Sequence, residues 1–392
     1  MIDLQTRTAP PRAGALRRAA PALLGYAAVR ALGLLALVLW SAARDKSAYT
    51  LLTARWDALW YVRVAELGYG YEVRLPNGDV HSNLAFFPLL PWLERLVAAV
   101  SPLSYADGGF VVSLAASLAA AWGIFAVADH VYGRRAGVCA VLLWAVLPVG
   151  IVQSMAYSES LFTALAAWSL YAVLTGRWVT AGALALAAGL TRPVGAAVVA
   201  ALWAAAIASF AAERRAAPGG PGGRAASRAR RAAGMLLAPL GTAGYVLWVG
   251  HRTGAGPLGY LDVQAGWRNG FDGGYAFARF VAGRFVSFPS ALAGAGLVLG
   301  VASVVWLYAV GVRQRQPLAL LVYSGAVTLL ALCASSYFGS KPRLLMPAFP
   351  LLLPLALLLA RARPRRSAVV LGVLAVVGAV YGAFWLNGSG PP

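Results

Sequence analysis

One aspartate of this chain lies in an unusual aromatic setting. The segment ARWDALWYVRVAELGYGYE, residues 54–72, follows the first long hydrophobic run and places Asp57 among tryptophans and a tyrosine. A carboxylate with rings three and four positions further along a helix suits a general base, because it can accept a proton from a hydroxyl in a sheltered place. An aspartate at this point could equally cap a helix that starts at Ala58. Both roles stay open on periodicity alone.

Helical phasing of residues 54–67 separates an apolar stripe from a polar side. Arg55 and Glu66 fall on the polar side, and Asp57 lies at the edge of the stripe beside Tyr61. The pattern predicts an interfacial helix that lies along a membrane surface. The stripe itself consists of Trp56, Trp60, Val64 and Leu67.

Three basic side chains further along the chain suit a phosphate. Arg192 precedes Pro193 at a break in an apolar run, where an unpaired arginine would be unfavourable in lipid. Lys341 and Arg343 follow in the segment SSYFGSKPRLLMP. Guanidinium and ammonium groups together can hold a phosphate, so the three residues are predicted to form a clamp. The simpler alternative is that each is an interfacial anchor whose charge reaches out to water.

The remaining candidate residues are weaker signals. Ser158 and Glu159 begin an apolar run, where both residue types also favour a helix N-terminus. No histidine pair has metal-site spacing, and no glycine-rich nucleotide loop is present, so no cofactor is predicted and dependence on a divalent cation is left open. Four candidates lie close together at the end of the first polar loop: His81, Asn83, Phe86 and Phe87.

The composition indicates a membrane protein. Of 392 residues, 60% are hydrophobic and 12% charged, whereas a soluble domain carries about 25% charge. Apolar runs of about 17 to 22 residues match the thickness of a bilayer, so we expect an all-α polytopic fold with about eleven transmembrane helices. The predicted spans are 22–42, 108–128, 136–152, 158–174, 178–190, 194–210, 233–250, 290–310, 317–335, 344–360 and 367–385.

The positive charge indicates the membrane topology of the chain rather than a nucleic-acid binding site. The net charge is +20, but the arginines lie in short loops between spans and form no basic domain. Residues 84–100 hold two prolines, Glu94 and Arg95, and are interpreted as interfacial or re-entrant. One side then carries 19 of the 33 basic residues but three of the 13 acidic ones. This bias predicts a plasma-membrane protein with a cytoplasmic N-terminus and an extracytoplasmic C-terminus.

The same topology divides the chain. Residues 1–21 form a basic cytoplasmic N-terminus, and 22–210 form a membrane block whose first outer loop is 43–83. Residues 211–232, rich in glycine, proline and arginine, are predicted to be a flexible cytoplasmic linker before a second block, 233–392. Five polar loops then face outward, which favours a reaction at that membrane face over a transport path through the spans.

Five motifs occur in order along the chain: RWDALWYVRVAELGY (55–69), NLAFFPLLPWLERL (83–96), AYSESLFTALAAWSLY (156–171), GLTRPVG (189–195) and SKPRLLMPAFPLLLPLA (340–356). They resemble the bacterial relatives of the PIG-V type mannosyltransferases, the family of GPI mannosyltransferase 2. The resemblance implies a GT-C type glycosyltransferase that takes a sugar from a polyprenyl-phosphate carrier at the outer membrane face, with a catalytic acid in the first outer loop. Asp57 of RWD matches that acid.

The resemblance leads to a hypothesis of mechanism, although it gives no exact role for Glu159. Asp57 would deprotonate an acceptor hydroxyl, while Arg192, Lys341 and Arg343 would stabilise the departing lipid phosphate. The acceptor is left open as a lipid, a glycan or a protein, and no nucleic-acid partner is expected. Transfer of a different sugar, a transporter and an envelope scaffold are the alternatives. The residues expected to pack the sugar or the prenyl chain are Trp56, Trp60, Tyr61, Phe86 and Phe87.

Overall fold

The computed structural model describes residues 12–215, 221–335, 337–388 and 390, and within them the chain is mostly helical. The first half contains α1 (Arg12–Ala42), α2 (Ala48–Thr53), α3 (Asp57–Leu67), β1 (Glu72–Arg74), β2 (Val80–Ser82), α4 (Leu89–Val100), α5 (Tyr105–Tyr132), α6 (Arg134–Ala145), α7 (Ser158–Leu174), α8 (Trp178–Gly189) and α9 (Gly195–Arg215). The second half contains α10 (Pro221–Leu237), α11 (Leu240–Thr253), α12 (Gly259–Gly266), α13 (Tyr275–Ala282), α14 (Ser290–Arg313), α15 (Leu318–Cys333), α16 (Lys341–Leu345), α17 (Leu353–Arg361) and α18 (Pro364–Leu386).

The chain is a multi-pass membrane protein. Among the described residues, six helical segments are long and apolar enough to cross a bilayer, or seven if the pair Phe338–Leu345 and Phe349–Arg361, bent by 75°, counts as one span. Each predicted span contains helix, but the predicted number of eleven crossings is not confirmed, because α7, α8 and α15 are shorter apolar helices. The six segments are Gly14–Ala42, Tyr105–Tyr132, Gly195–Arg215, Ala225–Thr253, Ser290–Arg313 and Pro364–Leu386.

A buried arginine shows why one predicted span is broken. Residues 136–152 form α6 as far as Ala145, and a short 3-10 turn begins at Gly150. The guanidinium of Arg30, on α1, donates hydrogen bonds to the carbonyl oxygens of both of these residues. Carbonyl groups released by a helix end need partners in an apolar interior, and the arginine supplies them.

The hydrophobic core lies between α1, α5, α6 and α7 and extends to the C-terminal helices. The Tyr26 and Trp144 rings are fully buried and stack with their centroids 5.5 Å apart. The Trp144 indole N–H donates to the carbonyl oxygen of Met346 at 3.1 Å. Side chains from the two ends of the sequence therefore share one core, which fixes the segment around α16 against the N-terminal helices.

The segment 84–100 forms α4, a helix of 12 residues. At 1.5 Å per residue it is about 18 Å long, which is short of the ~30 Å hydrocarbon core. Arg95 donates to the carbonyl oxygen of Ala65, so α4 packs against α3. The interpretation of this segment as non-crossing stays a prediction. Helix α4 packs against the first polar loop through α3.

Helix α3 differs from the predicted amphipathic helix in its start and in its buried face. It begins at Asp57 rather than at residue 54, and its buried side comprises Ala58, Tyr61, Val64 and Ala65. Leu67, predicted in the apolar stripe, is exposed. The difference follows from packing, because α3 lies against α4 and α5 and buries the residues that face them.

The predicted linker 211–232 is helical over most of its length. Helix α9 runs to Arg215 and α10 begins at Pro221, while 216–220 lie outside the described residues. Glu213 of α9 pairs with Arg231 of α10 at 2.5 Å. Helix α8 packs against α10, and α15 packs against α9, so helices from both predicted blocks are in contact. The division into two blocks stays a prediction.

The close crossing of α8 and α11 gives a stability test. A Cβ at Gly241 would lie 1.9 Å from the Leu186 carbonyl oxygen, so Gly241→Ala must force the helices apart. We expect a loss of about 1–3 kcal/mol, measured as a lower unfolding temperature in detergent. Gly244→Ala is the matched control, because nothing lies within 4 Å of a Cβ there. Equal melting temperatures for the two variants would contradict the observed crossing.

Candidate functional site

Four charged side chains from four separate parts of the sequence meet in one cluster. Arg343 Nη1 lies 2.7 Å from Asp57 Oδ2, and its Nε lies 3.3 Å from Glu159 Oε1. Arg192 Nη1 lies 2.6 Å from the same Glu159 oxygen. We call these four residues the charged cluster. Asp57 and Glu159 each occupy the first turn of a helix, while Arg192 lies in the turn between α8 and α9.

The backbone just before Asp57 is strained. Trp56 has φ 51° and ψ −124°, a conformation that residues with a side chain rarely adopt. Such strain persists where surrounding contacts hold it, and it is concentrated at functional sites. The Asp57 carboxylate accepts a hydrogen bond from Arg343, and the start of α3 has no side-chain cap. The structure therefore shows the aspartate facing the cluster rather than capping its own helix.

Asp57 keeps one carboxylate oxygen available. Oδ2 accepts from Arg343, whereas no hydrogen bond reaches Oδ1 from any described residue. The side chain is 26% exposed, compared with 1% for Glu159. Of the two acids, Asp57 is therefore the one that an incoming hydroxyl can reach.

Ser158 and Glu159 are buried and do not act as simple helix caps. The cap position of α7 is Tyr157, which makes no side-chain cap hydrogen bond. The Ser158 hydroxyl lies 2.7 Å from the Tyr61 hydroxyl and accepts from Arg192 Nη1 at 3.1 Å. Burial raises the pKa of the Tyr61 phenol, so it stays a neutral hydrogen-bonding group. These contacts join α3, α7 and the turn before α9.

Arg343 is almost enclosed, with 9% of its side chain exposed. Its guanidinium lies 5.2 Å from the centroid of the Tyr157 ring, a distance at which a cation is attracted by the ring. Tyr157 is fully buried and was not among the predicted site residues. Its position directly before Ser158 is the only signal the sequence offers for it.

Lys341 does not join the charged cluster. Its ammonium donates to the carbonyl oxygens of Ala331 and Ala334 at 2.8 Å, and of Leu332 at 3.4 Å. These carbonyls lie at the end of α15, where a helix leaves acceptors unpaired and favours a positive charge. The predicted clamp of three cations is thus reduced to Arg192 and Arg343.

Aromatic rings from two loops form a second group beside the cluster. Trp267 lies directly after α12, and its ring centroid is 4.8 Å from that of Trp60. It also stacks on the His81 ring, with centroids 4.0 Å apart. Phe86 stacks on Trp60 at 5.7 Å and meets the Tyr61 ring edge-on at 5.1 Å. We call these five rings the aromatic cluster. Tyr61 belongs to it and also contacts Ser158, so the two clusters adjoin.

The loop that carries Trp267 is fixed to the first loop by polar contacts. The Trp267 indole N–H donates to the Ser82 carbonyl oxygen at 3.0 Å, and Arg268 pairs with Asp79 at 2.6 Å. Partial burial lowers the pKa of His81, so its ring is neutral near pH 7. Trp267 was missed as a site residue, although a tryptophan within a polar loop is a weak signal for it.

The other predicted residues have different surroundings. The Arg55 guanidinium lies 4.1 Å from the centroid of the Trp56 ring, and Glu66 is exposed on α3. Asn83 is buried, and its amide donates to the Gly68 carbonyl oxygen and accepts from the Gly70 N–H, which holds the loop closed.

Phe87 also lies apart from the aromatic cluster. It packs on Tyr245 with ring centroids 4.4 Å apart, in a separate hydrophobic cluster. The adjacent Phe86 belongs to the aromatic cluster, so the two neighbouring phenylalanines pack in different hydrophobic groups.

The similarity of this chain to known proteins covers more of its length in fold than in sequence. No family model matches the chain. GPI alpha-1,6-mannosyltransferase 2 of Mus musculus is 31% identical over 148 residues, which cover 35% of this chain and 28% of that protein. ArnT from Cupriavidus metallidurans, solved bound to undecaprenyl phosphate, has a TM-score of 0.50 at 16% identity and covers 87% of this chain and 62% of its own. The archaeal oligosaccharyltransferase AglB from Archaeoglobus fulgidus has a TM-score of 0.48 at 13% identity, over 94% of this chain and 56% of its own.

The match to the mouse protein is local, since this chain spans less than a third of its length, and the likeness to ArnT concerns the fold alone. The fold is therefore similar to that of ArnT. The local sequence similarity is to a mannosyltransferase. Membership of the bacterial PIG-V type family stays a prediction from the motifs.

The position of Lys341 gives a second prediction. Lys341→Met should lower the free energy of unfolding by about 1–3 kcal/mol, because buried carbonyls at the end of α15 lose their partner. Thermal unfolding in detergent measures this. The matched control is Lys46→Met at the chain's only other lysine, which is exposed and contacts one carbonyl, that of Asn387. An unchanged unfolding temperature for Lys341→Met would contradict a role in holding this helix end.

Proposed function

We propose that this chain is an integral membrane glycosyltransferase. It moves a mannosyl residue from a polyprenyl-phosphate mannose donor to an acceptor hydroxyl at the extracytoplasmic face of the membrane, with Asp57 as general base. The observation that carries the proposal is the charged cluster, in which a partly exposed carboxylate and two guanidinium groups meet where the polar loops converge. The local identity to a mannosyltransferase and the similarity in fold to ArnT support the same class of reaction.

Asp57 is suited to act as the general base because its two carboxylate oxygens have different roles. Arg343 binds Oδ2 and fixes the orientation of the carboxylate. Oδ1 then faces the acceptor and takes the hydroxyl proton as the oxygen attacks C1 of the sugar. Fixing the base before the substrate arrives removes a reorientation step from the reaction.

The charges of the cluster balance during this reaction. Before transfer, the carboxylates of Asp57 and Glu159 face the guanidinium groups of Arg192 and Arg343, so the net charge is zero. Proton transfer to Asp57 leaves the cluster with one positive charge. Cleavage of the bond between C1 and the phosphate oxygen gives the lipid phosphate one further negative charge. The new positive charge arises beside the new negative one, which stabilises the transition state.

Arg192 is the better of the two arginines for direct contact with the phosphate. Its side chain is 14% exposed, and its Nη1 contacts Ser158 and Glu159. No described residue accepts a hydrogen bond from its Nε or Nη2. These donors are free for phosphate oxygens, and a guanidinium binds phosphate through two parallel hydrogen bonds. Arg343, by contrast, acts mainly on Asp57.

The aromatic cluster supplies a surface for the sugar or the first prenyl units. Its rings adjoin the charged cluster through Tyr61, and Trp60 and Trp267 are partly exposed. A donor that arrives sideways from the bilayer would place its phosphate at Arg192 and its apolar chain among these rings and the neighbouring helices. Such a site needs no fold for a soluble nucleotide.

The direct test is a transfer assay with labelled polyprenyl-phosphate mannose and membrane extracts, in which the product that gains label reveals the acceptor. Transfer of a different hexose from the same carrier, but not of mannose, would replace the proposed sugar. Movement of the lipid across proteoliposomes without glycosyl transfer would replace the enzyme by a transporter.

The first catalytic prediction concerns Asp57. Asp57→Asn keeps the shape of the side chain but cannot accept the proton, so we expect the turnover number to fall by about 10²–10⁴-fold. Expression and unfolding temperature should stay close to those of the unaltered protein. Glu66→Gln is the matched control, since this acid is on the same helix and exposed. Normal turnover by Asp57→Asn would exclude Asp57 as the base.

The second catalytic prediction concerns the phosphate. Arg192→Ala should raise the KM for the lipid-linked donor by about ten- to a hundred-fold, because a charge-assisted contact to the phosphate is lost. Steady-state kinetics at a saturating acceptor concentration measure the change. The KM for the acceptor should change little. A donor KM that stays within two-fold would place the phosphate elsewhere.

A further inference from the structure

We propose that Glu159 is a positioning residue that holds both arginines of the site in their working orientations. Its carboxylate is the one acid of the charged cluster in contact with Arg192 and Arg343 together. The inference rests on the proposed function, since it assigns the two arginines to a phosphate and to a base. It adds a residue that does not touch the reacting atoms.

The burial of Glu159 excludes a direct role in proton transfer. Its side chain is 1% exposed, and both carboxylate oxygens are enclosed. Both close ionic contacts are made through a single oxygen, Oε1, at 2.6 Å to Arg192 and 3.3 Å to Arg343. An enclosed charge of this kind is stable only beside opposite charges. The acid therefore acts through the arginines and not on the substrate.

The geometry gives the two arginines different tasks. With Nε beside Glu159, Arg343 presents Nη1 to Asp57. Arg192 contacts Glu159 and Ser158 through Nη1 alone, which leaves Nε and Nη2 free. One buried carboxylate thus lies in ionic contact with both guanidinium groups and attracts each of them to its side of the cluster. Without it, the two guanidinium groups would repel each other, and the single remaining carboxylate, Asp57, would attract both.

Another buried glutamate shows that burial alone does not create this arrangement. Glu94 on α4 is also fully buried, and like those of Glu159 its carboxylate oxygens accept no hydrogen bond from the described residues, but Glu94 also forms no ion pair with them. Its nearest surroundings include Gly108 and Gly109 of α5. Burial raises the pKa of Glu94 well above its ordinary value, which favours the neutral acid. Glu94→Gln is therefore a matched control for removing a buried carboxyl group.

The test compares Glu159→Gln with Arg192→Ala and with the double variant, using purified protein in nanodiscs. Glu159→Gln should raise the donor KM by about ten-fold and also lower kcat, because both arginines are misdirected. In the Arg192→Ala background, Glu159→Gln should leave the donor KM unchanged while still lowering kcat through Arg343. Glu159→Asp, which keeps the charge, should recover part of both effects.

A merely structural role gives a different pattern. Fewer correctly folded molecules would lower kcat and leave the donor KM unchanged, in either background. That result, or a KM effect in the double variant equal to the product of the two single effects, would overturn the inference. Glu94→Gln should leave KM and kcat within two-fold of the unaltered protein.

Binding separates failure of this inference from failure of the proposed function. Undecaprenyl phosphate is added to nanodiscs, and quenching of tryptophan fluorescence reports its binding. Absence of transfer with every lipid-linked sugar would reject the proposed function. Binding that Glu159→Gln and Arg192→Ala weaken equally, and Glu94→Gln does not, would still support the role of Glu159. Absence of binding to the unaltered protein, or equal binding by Glu159→Gln, would reject that role.

Discussion

Charged groups buried among membrane helices require partners of opposite sign, and the site of this protein is organised around that requirement. Arg343 and Glu159 are nearly or fully enclosed, and each is paired within the charged cluster. The pairing draws together the start of α3, the start of α7, the turn after α8 and the segment of α16. Removing one of the two enclosed members would leave a buried charge without full compensation, so the four segments hold one another in place.

The same pairing places the two acids in different environments. Asp57 is the more exposed acid and keeps an unoccupied oxygen, whereas Glu159 is enclosed and contacts only arginines. The strained backbone of Trp56 directs Asp57 to the cluster. Trp267 and the Arg268–Asp79 pair bring a loop from the second half of the chain against the first loop. The site is therefore complete only when both halves of the sequence are folded together.

The sequence predicts where the helices lie but not which of them are long enough to cross the membrane. Each predicted span contains helix, yet six or seven segments are long enough to cross, because an apolar run cannot reveal an internal break such as that between α6 and Gly150. Helical phasing predicts a helix at Asp57 but not the face that is buried, since that face depends on contacts with α4 and α5. The sequence predicts that Lys341 shares a phosphate clamp with Arg192 and Arg343, whereas Lys341 binds the carbonyl groups at the open end of α15.

The sequence by itself determined the membrane class, the helical segments and the residue types available for chemistry, because hydropathy and charge are properties of local composition. Tertiary structure decided which charges meet. Asp57 and Arg343 are 286 positions apart, and Arg192 and Ser158 are 34 apart, so no local pattern relates them. Their contact follows from helix packing and from the unfavourable free energy of an unpaired buried charge. That long-range constraint brings Arg192, Arg343 and Glu159 together with Asp57 as a candidate site, whereas Lys341 lies at the end of α15 instead.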